Sequence, residues 1–411
     1  MRSNPAGKPC WSTLGRILSS DAAVELAAWA ASFEPSAEDL ALARRALVDT
    51  VAVAVAGRFE PVVEIARSED EATRWAAAAH ALDYDDLHLP STAHLSAVCV
   101  PAALSVGGGE LAYLAGAGVM ARLGTALGWD HYSRGWHATC TAGAPAAAVA
   151  AGIAIGLDAD GLARAIALAV PAAGGLQRAF GTMAKPLQVG FAVSAGVRAA
   201  RLAAAGATAD LGAVDQWLAL LGGDLARVDE SPLAVPGGLA IKLYPCCYAL
   251  QRPMAALASL EADPGAIRAI RVRTPAASLQ PLNRHSPKTG LEGKFSLEYG
   301  LAAALLDRPP GFASFSDGCV SRPAARRLME LVEVEAAPGG EGLLDGLFEA
   351  EVVTGEGSRH LELKLPPGAP DRPPTAAELE AKLRDCCGNL SDEVSALGWR
   401  EAPSFLRRSL A

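Results

Sequence analysis

From residue 21 to about 235, apolar positions recur at helical spacing almost without interruption, and this stretch reads as an all-α domain. Ser36-Ala37-Glu38-Asp39 has the form of a capping box and opens an apolar-periodic run to Ala56, which Gly57 ends. Residues 144–156, 160–173, 186–206 and 213–226 are rich in Ala and Leu and separated by Gly, Asp or Pro, which predicts further helices. Small side chains let helix backbones approach closely, so these helices are expected to pack tightly.

After Pro236-Gly237-Gly238 the period changes. Ile267 to Thr274 alternates apolar and polar positions, as a half-buried strand does, and Leu331 to Glu335 repeats the pattern. Ala350–Thr354 and Arg359–Leu365 flank a Gly355-Glu356-Gly357 turn and read as a hairpin. Residues 249–260 and 295–306 look helical between the strands. The Pro-rich segment 366–374 is a linker, and Thr375-Ala376-Ala377-Glu378 caps a last long helix that ends near Gly388. The expected fold is therefore mainly α. An all-α domain comprises residues 1–236 and 373–411, and an α/β region at 237–372 is inserted into it.

Composition narrows the function classes. The 411 residues are 51% hydrophobic and 20% charged, enough apolar material for sizeable cores and too little charge for disorder. A net charge of −9 repels phosphate backbones and anionic lipid, so neither nucleic acid nor a membrane surface is an expected partner. The eight cysteines form no C-x-x-C pair and have no zinc or iron–sulfur spacing, which predicts free thiols in a reducing compartment. Met1 to Ser20 contains no run suited to a secretory h-region, and Cys140 to Leu157, mostly Ala and Gly, reads as a buried helix. A cytoplasmic protein is expected.

Two residue types are unevenly used. Five of the seven histidines, His80, His88, His94, His131 and His137, fall between residues 80 and 137. Only seven of the 36 basic residues are lysines, and Lys185 and Lys242 sit in apolar stretches where an amine can titrate and a guanidinium cannot. Asp83-Tyr84-Asp85-Asp86 with His88 and His94 offers acid/base or metal-binding groups, although a solvated loop is the plainer reading of these residues alone. His131-Tyr132-Ser133-Arg134-Gly135-Trp136-His137-Ala138-Thr139 gathers two imidazoles, a phenol, a guanidinium and a hydroxyl beside a helix start, a place suited to a carboxylate. No dinucleotide, Walker or G-x-S-x-G pattern is present.

Taken in order, several segments resemble the MmgE/PrpD family of 2-methylcitrate dehydratases, cis-aconitate decarboxylases and iminodisuccinate epimerases. They are Ala46–Gly57, Ala79–Asp86, His94–Pro101, His131–Thr139, Gly181–Pro186, Lys242–Cys247 and Lys294–Tyr299, and the resemblance spans residues 40 to about 390. It implies a helical domain with an α/β lid, a cleft between them, a homodimer, a small carboxylate as substrate, and no metal or organic cofactor. By position it implies that Asp83, His94, Tyr132, His137, Lys185, Lys242 and Tyr299 are catalytic, with Arg134, Thr139 and Met183 on the substrate side. The chain departs from the family at Leu87, where several members have Thr, and at Gln188, Cys247 and Gln251, where relatives carry His. These four positions are expected to shape the substrate wall.

The reaction so implied begins with removal of a proton α to a carboxylate. Lys185 and Lys242 would stabilise the resulting enediolate, and His137 or Tyr132 would be the base. His94, oriented by Asp83, would protonate the departing hydroxyl, and Tyr299 would position the substrate. Loss of water makes a dehydratase, reprotonation an epimerase, and loss of CO₂ a decarboxylase.

Overall fold

The computed structural model describes residues 21–228, 231–338 and 340–411. The N-terminal segment, with Lys8 and Cys10, lies outside the described residues.

The helical part is built as the apolar pattern predicts. Ser36 accepts from the Asp39 N–H while the Asp39 carboxylate accepts from the Ser36 N–H, and the helix Ala37–Gly57 follows. Ala138–Ala154 is a central helix that packs against Glu110–Ser133 on one side and Ala184–Ala204 on the other. Its Ala and Gly side chains allow near contact of backbones. A Cβ built on Gly196 would lie 2.4 Å from the Ala144 carbonyl and 2.5 Å from the Ala147 Cβ. Gly196→Ala therefore has no flexible neighbour to displace and is expected to cost about 1–3 kcal/mol, read as a lower urea midpoint at unchanged m.

Helix ends differ from the expected ones where backbone chemistry intervenes. The run predicted over 213–226 stops at Leu221, because Gly222 turns left-handed at φ 76°. The run over 160–173 gives the helix Ala159–Ala169 and then a single 3₁₀ turn, since Pro171 has no N–H to continue the ladder. His131–Ser133 closes the helix Glu110–Ser133 rather than lying before a helix, and it is His137 that precedes Ala138–Ala154. Among the described residues, Glu110–Ser133 is the helix long and apolar enough to cross a membrane, but 83% of its apolar window is buried inside the fold.

A four-stranded mixed sheet accompanies the helices, made of β1 (Ile267–Pro275), β2 (Val332–Ala337), β3 (Phe348–Thr354) and β4 (Gly357–Leu363). The order is β2-β1-β3-β4, with β1 parallel to β2 and antiparallel to β3, and β3–β4 forming the predicted hairpin. Ile270, Val272, Ala350 and Val352 point inward to the core. On the outer face Arg271 pairs with Glu333 and Glu351, and Arg273 with Glu335 and Glu349. Beyond the sheet the chain returns to the helical part. Ala376–Cys387, capped by Thr375 as expected, packs on Ala37–Gly57, and its buried Lys382 meets Asp49 at 2.5 Å.

Candidate active site

The segment Leu82–His94 is irregular backbone, and apart from its Leu89-Pro90 tip it is buried rather than a solvated loop. Irregular backbone can be buried only when its polar groups find partners, and here lysines supply them. Asp83 turns left-handed at φ 54°, a region Asp tolerates. Lys242 Nζ donates to the Asp83 carbonyl at 2.9 Å and to its Oδ1 at 2.6 Å. Lys294 Nζ donates to the Leu82 carbonyl at 2.9 Å and to the Pro245 carbonyl at 2.6 Å, tying the Asp83 turn to the loop that carries Cys246 and Cys247. Lys185, from the first turn of Ala184–Ala204, donates to Asp83 Oδ1 at 3.0 Å and to His80 Nε2 at 2.8 Å.

A second carboxylate organises the imidazoles. Asp85 Oδ2 lies 2.7 Å from His80 Nδ1 and 3.0 Å from His94 Nδ1. Asp83 Oδ1, expected to orient His94, is farther from its Nε2, at 3.8 Å. His94 packs edge-on against His80, and His137 stacks on His80 with ring centroids 5.7 Å apart. Asp86 faces away and accepts from the hydroxyl and N–H of Ser96.

These neighbours set the charge states. Burial favours the neutral form of Asp83, but Lys185 and then Lys242 outweigh it and hold the carboxyl well below its ordinary range. Burial also works against the Lys242 ammonium, and Asp83 with Asp85 more than restores it. His94 is pushed down to about 4, mainly by burial, and His137 well below its usual value by burial and then Lys185. Both imidazoles are neutral near pH 7. Burial, then Cys247, pushes the Tyr132 phenol well up, so Tyr132 keeps its proton and is a poor base.

Asp83, Leu87, Thr92, His94, Tyr132, His137, Phe180 and Lys185 line a cavity from the helical side; Cys247, Tyr248, Phe295 and Leu343 close it from the α/β side. Its volume of about 20 Å³ holds about one water. Not every expected residue reaches it. The Tyr299 hydroxyl is spent on the Ser314 carbonyl, and its ring packs against Phe315. Gln251 caps backbone, accepting from the Leu243 and Tyr244 N–H groups. Arg134 is exposed and lies beside Gly222. Met183 lines a separate cavity with Leu82 and Lys294. Thr139 acts behind the site, its hydroxyl accepting from the His94 N–H at 3.1 Å. Lys242 reaches the cavity only through Asp83. Gln188 backs His137, with its Nε2 2.7 Å from the imidazole Nδ1. His88 binds Ser91 and the Pro236 carbonyl, and His131 stacks on Trp136. The sequence reading gave His80, Asp85 and Lys294 no role, although the bunching of histidines after residue 79 and the Asp83–Asp86 run marked the first two.

His80, Asp83, Asp85 and His94 bring one donor atom each within 4.8 Å of one another, a spacing compatible with a metal ion. The charge balance favours a different use. Two carboxylates already face the ammoniums of Lys185, Lys242 and Lys294, and a dication would enter against them. The cluster is suited to receiving an anion.

The profile of the MmgE/PrpD N-terminal domain matches residues 68–217, and that of the MmgE/PrpD C-terminal domain matches residues 244–402. The chain belongs to the MmgE/PrpD family. The first profile covers Asp83, His94, His137 and Lys185, and the second covers Cys247 and Phe295. A cis-aconitate decarboxylase from Aspergillus terreus is 27% identical over 360 residues, covering 76% of this chain and 73% of its own. The cis-aconitate decarboxylase of Homo sapiens is 27% identical over 291 residues, 64% of this chain and 60% of its own. That of Mus musculus is 26% identical over 324 residues, covering 69% and 64%. In this MmgE/PrpD chain Leu87 and Cys247 stand on the cavity wall, with Phe180, Phe295 and Leu343 and the ionisable Asp83, His94, His137 and Lys185 also in the lining.

Proposed function

We propose that this protein is a lyase that removes a proton α to a carboxylate and eliminates water from a hydroxy-carboxylate. The observation that carries this reading is the neutral imidazole of His94, with Nδ1 against Asp85, facing the same small cavity as the Lys185 ammonium. Dehydration must take a proton from carbon, and an oriented neutral imidazole is suited to that task. Decarboxylation needs only to deliver a proton to the carbanion that remains. His94 takes the α-proton on Nε2, and the electron pair delocalises into the carboxylate, whose enediolate is met by the Lys185 ammonium. The pair then returns to form C=C, the C–O bond breaks, and the departing hydroxide takes the proton from His94 to leave as water.

The substrate wall argues for a small acid with an apolar substituent. Leu87, Phe180, Phe295 and Leu343 supply an apolar third of its twelve lining residues, and among the described lining residues Lys185 is the cation. A tricarboxylate would meet too little positive charge. The α/β region acts as a lid over this cavity, since four of the lining residues come from it and the closed volume admits no substrate. A homodimer in the cytoplasm without a resident cofactor completes the proposal.

A second reading, decarboxylation, draws on the name shared by the curated relatives. The test is to incubate EDTA-treated protein in D₂O with 2-methylcitrate, citrate, cis-aconitate, iminodisuccinate and smaller 3-hydroxy acids, followed by NMR. Loss of water with deuterium entering at the α-carbon is the expected result. Release of CO₂ from cis-aconitate without α-exchange in any hydroxy acid would replace it with the second reading.

A further inference from the structure

Gln188 has its amide orientation set by backbone. Its Oε1 accepts from the Leu176 N–H at 3.0 Å, which leaves Nε2 to donate, and that atom lies 2.7 Å from His137 Nδ1 and 3.3 Å from the Leu176 carbonyl. Turning the amide over would set its NH₂ against the Leu176 N–H. The Cys140 sulfur approaches the same Nδ1 at 3.2 Å, and burial keeps that thiol protonated, so it can donate there too. A proton on Nδ1 would face the Gln188 NH₂, which can only donate. The other nitrogen, Nε2, is buried and has no partner among the described residues, while the His137 ring lines the cavity. An unpaired buried polar atom in a cavity wall is accounted for by a ligand.

We infer that Gln188 is a positioning residue that fixes His137 as the Nε2–H tautomer, so that His137 donates a hydrogen bond to a substrate oxygen and is not the base. A neutral imidazole that keeps its proton is suited to polarising a carbonyl or steadying an enediolate, beside the Lys185 ammonium. His94 has the opposite arrangement. A lone pair on its Nδ1 would face the Asp85 Oδ2 charge at 3.0 Å, a contact without hydrogen-bond alignment, so the carboxylate favours a proton on Nδ1 and leaves Nε2 to accept. Across one cavity the two imidazoles thus present a donor and an acceptor. This assignment of roles rests on the proposed α-proton chemistry, but the tautomer itself does not.

The experiment reads the tautomer without substrate. In protein labelled with ¹⁵N-histidine, long-range ¹H–¹⁵N correlations are recorded near pH 7, and the His137 signals are assigned by their loss in His137→Asn. Wild type is expected to show a proton-bearing Nε2 and a bare Nδ1. In Gln188→Glu the carboxylate accepts at that position, and Nδ1 is expected to gain a proton. On whichever substrate the D₂O panel identifies, the same variant should lose about 100-fold in kcat, the scale of one removed donor, with KM changed far less. A proton on Nδ1 in wild type, or an unchanged pattern in Gln188→Glu, overturns the tautomer assignment even if the reaction is as proposed. A moved proton with full kcat overturns the donor role and leaves the lyase reading in place.

Discussion

Replacing Lys185 with Ala should lower kcat/KM by about 10³-fold or more while leaving a folded protein, because this ammonium is the positive charge nearest the developing enediolate. The side chain is held by Asp83 Oδ1 and His80 Nε2 and lies 5.1 Å from the Phe180 ring centroid and 5.4 Å from that of Phe295. An ammonium has three N–H groups; two are taken, and the third is available to the cavity it lines. Stabilisation by such a preorganised donor grows in a site that excludes water, and a cavity with room for about one water is such a site. The loss should fall mainly on kcat, since the charge it answers exists fully only after the proton has left carbon. Lys185→Arg should not rescue, because a planar guanidinium cannot occupy the space between Asp83, His80 and the two rings. Steady-state kinetics beside circular dichroism decide the matter. Turnover within threefold of wild type in a folded Lys185→Ala protein would remove Lys185 from the mechanism.

Much of this arrangement was legible in the chain because it depends on local rules. The helices opened by Ser36 and Thr375 follow from capping boxes, and β1 follows from the alternation over Ile270–Arg273. The short list Asp83, His94, His137 and Lys185 came from ordered segments that resemble a family, and those four residues do converge on one cavity. What stayed hidden depends on directions and partners that sequence spacing does not encode. Tyr132 lines the cavity, whereas Arg134, two residues later at the helix end, lies beside Gly222; positions i and i+2 on a helix look to different sides. Tyr299 lies close in sequence to Phe295, yet its hydroxyl turns to the Ser314 carbonyl. Asp85 looked like a loop carboxylate because nothing local shows that His80 and His94 fold onto the same oxygen. Lys294 acts through carbonyls of Leu82 and Pro245, and a side chain that holds backbone leaves no residue-type signature at its targets.

Asp83→Asn should be the most destabilising conservative change at the site, and its cost should depend on pH with a sign that identifies the cause. The substitution keeps the shape and one acceptor but removes the charge that faces Lys185 and Lys242, and leaving buried charge without its counterpart costs about 3–5 kcal/mol. In wild type the depressed carboxyl of Asp83 contributes stability that is fully present above the unfolded value of about 3.9 and is lost as pH falls through the folded value. Lys242, held above its ordinary range, contributes stability that is present below the unfolded value of about 10.4 and is lost as pH rises through the folded one. Between those limits the pair adds no slope. In the Asn variant the burial that opposes the Lys242 ammonium is offset by Asp85 but no longer by Asp83, so its folded value falls. The folded variant then holds its ammonium protons less firmly than folded wild type, so its stability rises more steeply with pH than that of wild type, where Lys294 at about 8 already gives some rise. The difference between the two proteins, taken from urea midpoints at matched m, should therefore be largest near pH 7 and shrink by pH 9.5. Groups that do not face Asp83 cancel in that difference, and Lys294, which Asp83 also holds up, adds slope of the same sign. A gap that stays constant over this range would mean that Asp83 contributes shape and hydrogen bonds but not the charge that keeps two ammoniums inside the protein.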